Sequence, residues 1–116
     1  MSSPLACNLE ALDANQRERY ATLFKKIFGS VVETKELPDG YSFRFQSKEP
    51  MFLSISEWIT LESLCCSFLT FNLKLESSGE IWLELTGPKG VKQLLAAELG
   101  PNNTIVRGPS LVYLTP

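Results

Sequence analysis

The sequence predicts one α+β domain, in which a single four-stranded antiparallel sheet carries helices on one face. The predicted order of elements is α-β-β-α-β-β-α. With 116 residues, the chain has the usual length of one domain. Four segments alternate apolar and polar residues, which is typical of antiparallel strands with one buried face. Three further segments repeat apolar residues at helical spacing.

The first unit is a helix followed by a hairpin. Asp13 and Gln16 predict a capping box, and Gly29 predicts the end of the helix. Val31–Leu37 reads as a strand. A Pro-Asp-Gly turn then leads into a second strand over 41–46, where aromatic and polar residues alternate.

The second helix is predicted from another capping box. Ser54 and Glu57 have the required spacing, and Leu53 with Trp58 can form a hydrophobic staple around them. We expect this helix to end at about Cys66.

A second hairpin and a third helix complete the domain. Alternating segments at 71–76 and 81–86 flank a Ser-Ser-Gly-Glu turn, and a Gly-Pro pair opens a helix that runs to Leu99. Residues 1–116 are therefore expected to form a single domain with an N-terminal arm at 1–10. An extended C-terminal tail at 101–116 contains two β-prone pieces.

Composition excludes several classes of function. The formal net charge is −2 and no Lys/Arg stripe is present, so we expect no nucleic-acid partner. No apolar run suits a membrane span, and the N-terminus lacks the features of a signal peptide. Three cysteines, two of them adjacent, do not make a disulfide framework, so a cytoplasmic location is expected. The sequence has no histidine, which removes His-based nucleophile pairs and imidazole metal sites and disfavours an enzyme.

The candidate site is the cluster Glu62-x-x-Cys65-Cys66. A helix advances about 100° per residue, so Glu62 falls in the middle of the apolar stripe with the cysteines on either side. A carboxyl group in that position is costly without a partner. Thiolates suit soft metal ions, Glu62 adds an oxygen ligand, and Cys7 is a candidate third sulfur. No metal or other cofactor is required by the sequence.

Other interpretations of the cluster remain open. It could sense thiol oxidation, although a bridge between adjacent cysteines is awkward because their Cα atoms lie ~3.8 Å apart. A bridge from Cys7 is sterically freer. Glu62 could instead act as a general base, or the cysteines could be small core residues while Glu62 pairs with an Arg or a backbone donor. A helix C-terminus disfavours a thiolate, and adjacent helical side chains diverge by about 100°.

The same region carries a resemblance. The stretch from Glu57 to Leu69, together with the Leu-Thr-Gly-Pro-x-Gly-Val-Lys segment that ends at Lys92, resembles a family of small uncharacterised bacterial proteins. Members of that family carry a Glu-Arg-x-Cys-Cys-Pro-Phe core, and the similarity would cover most of residues 9–98. This chain departs from the pattern at Ser63, Ser67 and Lys89. The cysteine pair of the family suggests heavy-metal handling and implies no established activity.

A second candidate surface lies on the other face of the predicted sheet. That face is polar except for Trp82, which predicts a homodimer or ligand surface with Arg44, Asn72 and Lys74. Packing of the C-terminal tail over Trp82 is the alternative. The functional hypotheses are therefore a soft-metal-binding or thiol-sensing module, or a non-catalytic interaction domain that dimerises through the sheet.

Overall fold

The computed structural model describes residues 8–45 and 50–99, and within them it confirms the predicted order α-β-β-α-β-β-α. A short 3-10 helix, Leu9–Ala11, precedes the first of these elements. The elements are α1 (Ala14–Phe28), β1 (Val31–Leu37), β2 (Gly40–Phe45), α2 (Met51–Cys65), β3 (Thr70–Leu75), β4 (Ile81–Thr86) and α3 (Val91–Leu99).

The two hairpins join into one antiparallel sheet with the strand order β1-β2-β4-β3. The junction between β2 and β4 requires a glycine. A Cβ atom added to Gly40 would lie 1.8 Å from the carbonyl oxygen of Leu85. The absence of a side chain at Gly40 therefore allows the two hairpins to approach closely.

One face of the sheet forms the core with the helices. Phe28 of α1 packs its ring 5.4 Å from that of Phe43 and 5.2 Å from that of Trp58 of α2. Trp58 also meets Phe71 of β3 edge-on, at 6.2 Å. The predicted apolar residues of β2 and β4 are all buried on this face: Tyr41, Phe43, Phe45, Ile81, Leu83 and Leu85.

The first helix begins as predicted, whereas the second does not. The Asp13 carboxylate accepts a 2.8 Å hydrogen bond from the Gln16 amide, and the Gln16 side chain accepts one of 2.9 Å from the Asp13 amide. By contrast, α2 begins at Met51, with Pro50 at the N-cap position and no side-chain cap. The capping box predicted at Ser54 is therefore wrong.

The hydrophobic staple predicted for α2 is also absent. Leu53 is 71% exposed, whereas Trp58 is buried. The apolar stripe explains the difference, because turning Met51, Ile55 and Trp58 toward the core turns Leu53 outward on the same helix.

A bidentate ion pair joins α1 to α2 at the surface. Arg19 donates to both carboxylate oxygens of Glu57, at 2.6 and 2.7 Å. The hydrogen bond from Arg19 lowers the pKa of the Glu57 carboxyl. Because both side chains are about half exposed, solvent screens the pair and its contribution to stability is small.

We expect Glu57→Gln to lower the melting temperature in a pH-dependent way. The carboxyl has a lower pKa in the folded protein than in the unfolded chain, so its stabilising contribution is present above about pH 4.3 and is lost as the pH falls through the lowered value. Thermal unfolding should show a difference of less than roughly 5 °C at pH 7 that disappears in acid. The control is Glu18→Gln, an exposed carboxyl on α1. A difference that persists below pH 3 (roughly, given the ordinary carboxyl pKa) would contradict the assignment.

Candidate functional site

The three predicted residues of the cluster meet at the C-terminal end of α2. Glu62, Cys65 and Cys66 are 2%, 4% and 0% exposed. One ligand atom from each of them, a carboxylate oxygen and the two sulfurs, lies within 4.8 Å of the others. The group is therefore close enough to hold a metal ion.

The local backbone explains how adjacent cysteines reach one point. Cys65 is the last residue of α2, and Cys66 follows with φ −125° and ψ 70°, outside the helical region. The divergence of about 100° between adjacent helical side chains therefore does not apply to this pair. The Cys66 amide still donates to the Glu62 carbonyl, at 2.7 Å, which holds the unwound residue against the last turn.

The N-terminal part of the chain also binds this helix end. The amide of Asn8 donates a 2.8 Å hydrogen bond to the carbonyl oxygen of Cys65. It thereby satisfies one of the carbonyls that a helix leaves unpaired at its C-terminus. Cys7, which the sequence analysis considered as a third sulfur ligand, lies outside the described residues.

Tyr20 is a partner of Glu62 that the sequence analysis missed. Its hydroxyl donates a 2.6 Å hydrogen bond to Oε1 of Glu62, and its ring stacks on Trp58 at 6.3 Å. An Arg or a backbone donor was expected in this role. The signal for Tyr20 was its position in the apolar repeat of α1, where a polar-tipped residue requires a partner inside the protein.

The Cys65 thiol shares the same carboxylate. Its Sγ lies 3.9 Å from Oε1 of Glu62 and 3.6 Å from the Glu62 carbonyl oxygen. Oε1 of Glu62 therefore contacts both the Tyr20 hydroxyl of α1 and the Cys65 thiol.

The two adjacent sulfurs differ in oxidation state. Cys65 forms no disulfide, whereas Cys66 is disulfide-bonded. In this form the cluster offers one thiol and one carboxylate as strong ligands, because a metal binds the thiolate and not the disulfide sulfur. Cys66 becomes a full ligand only after reduction.

An apolar groove lies next to this network on the surface of α1. It has a volume of about 400 Å³, and its lining contains Tyr20 but none of the three cluster residues. Arg17 and Lys25 add positive charge to its edge. Tyr20 therefore lies between the groove and the buried Glu62.

The second predicted surface lies on the opposite side of the sheet. The strand register places Arg44, Trp82 and Lys74 in one row and Asn72 beside Glu84 in the next. These residues share a face that is separate from the Glu62 cluster, because α2 packs on the other side of the sheet.

Trp82 is half-buried, and cations cover its ring. The Lys35 ammonium lies 4.8 Å from the ring centroid, and the Arg44 guanidinium lies 6.0 Å from it. Arg44 is held by ion pairs to Glu33 and Glu80. Lys35 was not predicted, because its contact with Trp82 depends on the pairing of β1 with β2. Any packing of the tail over Trp82 lies outside the described residues.

Comparisons with known proteins add no identification. No family model matches the chain, and neither curated proteins nor solved structures include a match. The resemblance proposed from the cysteine motif stays a prediction. Among the described residues, no helix is both long and apolar enough to cross a membrane.

We expect Tyr20→Phe to destabilise the protein by about 1–3 kcal/mol, the usual cost when a buried polar group loses a hydrogen-bond donor. Urea unfolding measures this change. Thr22→Val on the same helix is the control, because it removes an exposed hydroxyl that donates to the Glu18 carbonyl oxygen of its own helix. Equal effects of the two substitutions would contradict a structural role for the bond to Glu62.

Proposed function

We propose that this chain is a soft-metal-binding or thiol-sensing module centred on Glu62, Cys65 and Cys66, with metal binding the better supported of the two. The observation that carries the proposal is the approach of two sulfurs and a carboxylate oxygen within 4.8 Å. Zn²⁺ and Cu⁺ favour thiolate ligands, and zinc also accepts a carboxylate oxygen. Three protein donors leave a fourth position for water or an exchanging ligand.

The surroundings of the cluster support a metal more than a free reactive thiol. Cys65 is buried beside the Glu62 carboxyl at a helix C-terminus, and each of these features disfavours a thiolate. A bound cation reverses this balance, since its positive charge drives deprotonation of the coordinating thiols.

The Tyr20 hydroxyl supports the carboxylate as a ligand. A hydrogen bond to one oxygen of Glu62 restrains the side chain, and such outer contacts commonly orient metal ligands. The contact also links the site to α1. Occupancy of the site is therefore expected to stabilise the packing of α1 against α2.

The test is metal binding by the fully reduced protein. We expect one Zn²⁺ per chain by native mass spectrometry and by competition with a chromophoric chelator. Cys65→Ser and Cys66→Ser should each weaken binding by at least about 100-fold, since each removes a thiolate. Glu62→Gln should weaken it by about 10-fold or more.

Ser67→Ala is the matched control, because Ser67 is exposed and adjacent to the pair. It should leave zinc affinity unchanged. A reduced wild-type protein that binds neither Zn²⁺ nor Cd²⁺, or serine variants that bind like the wild type, would contradict the proposed function.

The alternative function is a homodimerising interaction domain with structural cysteines. One observation favours it: Trp82, Arg44, Lys74 and Asn72 share the sheet face that carries none of the described helices. In this case Trp82→Ala should shift a dimer to monomer in sedimentation velocity. Glu18→Gln on α1, an exposed carboxyl away from this face, is the control, and a wild-type monomer at high concentration would exclude this function.

A further inference from the structure

We propose that oxidation and metal binding compete for the sulfur of Cys66, so that the redox state of the disulfide controls metal occupancy. This inference rests on the proposed function and specifies its regulation. Reduced protein would bind a soft metal ion through three groups. Oxidised protein would retain only Cys65 and Glu62 as strong ligands.

One atom, the sulfur of Cys66, has both roles. The Cys66 sulfur is disulfide-bonded, and it also belongs to the group whose ligand atoms lie within 4.8 Å of one another. A sulfur bonded to a second sulfur carries no thiolate charge and is a poor ligand. Disulfide formation and full metal coordination therefore exclude each other.

The thiol that competes with the metal for Cys66 can come from the same chain. The sequence contains one cysteine besides this pair, Cys7, and Cys65 forms no disulfide, so Cys7 is the intrachain thiol to test as the source of the other sulfur. The Asn8 amide bonds to the Cys65 carbonyl, which brings the residue after Cys7 to the helix end.

The chemical step balances with a dithiol reductant. One thiolate of the reductant attacks the disulfide, the second completes the exchange, and the reductant leaves as its own cyclic disulfide. Two electrons and two protons pass to the protein, which gives two thiols. Metal binding then displaces the protons of Cys65 and Cys66.

Metal binding shifts the balance between reduced and oxidised protein by an amount that can be calculated. A metal that binds only the reduced form raises the ratio of reduced to oxidised protein by one plus the ratio of free metal to its dissociation constant. At a free concentration of 100 times that constant, the ratio rises by about 100-fold. By reciprocity, the disulfide lowers the apparent affinity for metal.

The experiment measures both sides of this linkage with the full chain. Zinc affinity is compared for oxidised protein, for protein reduced and then freed of reductant, and for Cys7→Ser without reductant. We expect the reduced protein and Cys7→Ser to bind alike and the oxidised protein to bind at least about 100-fold more weakly. Peptide mapping by mass spectrometry identifies the disulfide in each sample.

The reciprocal arm follows disulfide formation in a glutathione buffer at a free Zn²⁺ concentration set by a chelator. Zinc at 100 times its dissociation constant should lower the ratio of oxidised to reduced protein by about 100-fold. Ser67→Ala should behave like the wild type.

The outcomes separate the two proposals. Absence of zinc binding by fully reduced protein would remove the proposed function and this inference together. Equal affinity of reduced and oxidised protein would overturn the competition and leave the metal site standing. A disulfide that persists in Cys7→Ser, with low zinc affinity, would also overturn the intrachain competition. If Cys7→Ser fails to fold, iodoacetamide-capped Cys7 in otherwise reduced wild-type protein replaces it.

Discussion

The hydrogen bond between Tyr20 and Glu62 is the interaction on which the organisation of the site depends. A carboxyl group that is 2% exposed requires a polar partner inside the protein. Tyr20 supplies one from α1 at 2.6 Å, and its ring packs on Trp58 of α2. The same contact therefore gives Glu62 a partner and joins α1 to α2. Glu62 lies one turn before Cys65, and the non-helical backbone at Cys66 brings the second sulfur to the same point.

The sheet separates two chemically different surfaces. The helix-bearing face is aromatic and buried, and the Phe28 ring contacts those of Phe43 and Trp58. The opposite face combines Trp82 with cations and carboxylates that are paired across the strands. A soft-metal site suits the first environment, since low polarity strengthens the attraction between thiolate and metal. A surface for association suits the second.

Electrostatics decides what the cysteine pair can do. Free thiolates are disfavoured at a helix C-terminus beside a carboxyl group, so rapid reaction with an electrophile is a poor match for Cys65. A bound cation offsets the unfavourable thiolate charge, whereas a disulfide removes that charge altogether. A thiol and a disulfide sulfur occupy neighbouring positions, and the Cys66 sulfur is the atom on which the proposed competition between metal and disulfide depends.

The sequence by itself determined the order of elements, the apolar faces of β2 and β4 and the capping box of α1, because these features depend on residues close together in the chain. It also placed Glu62 and both cysteines on one helix end. Local rules failed at the start of α2, where the demand for buried Met51 and Ile55 overrode the capping pattern at Ser54. Only the tertiary structure decided three features: the strand order β1-β2-β4-β3, the hydrogen bond from Tyr20 to Glu62, and the contact of the Lys35 ammonium with the Trp82 ring. Each of these joins elements distant in sequence, and their pairing follows from packing of the whole core and not from any local periodicity.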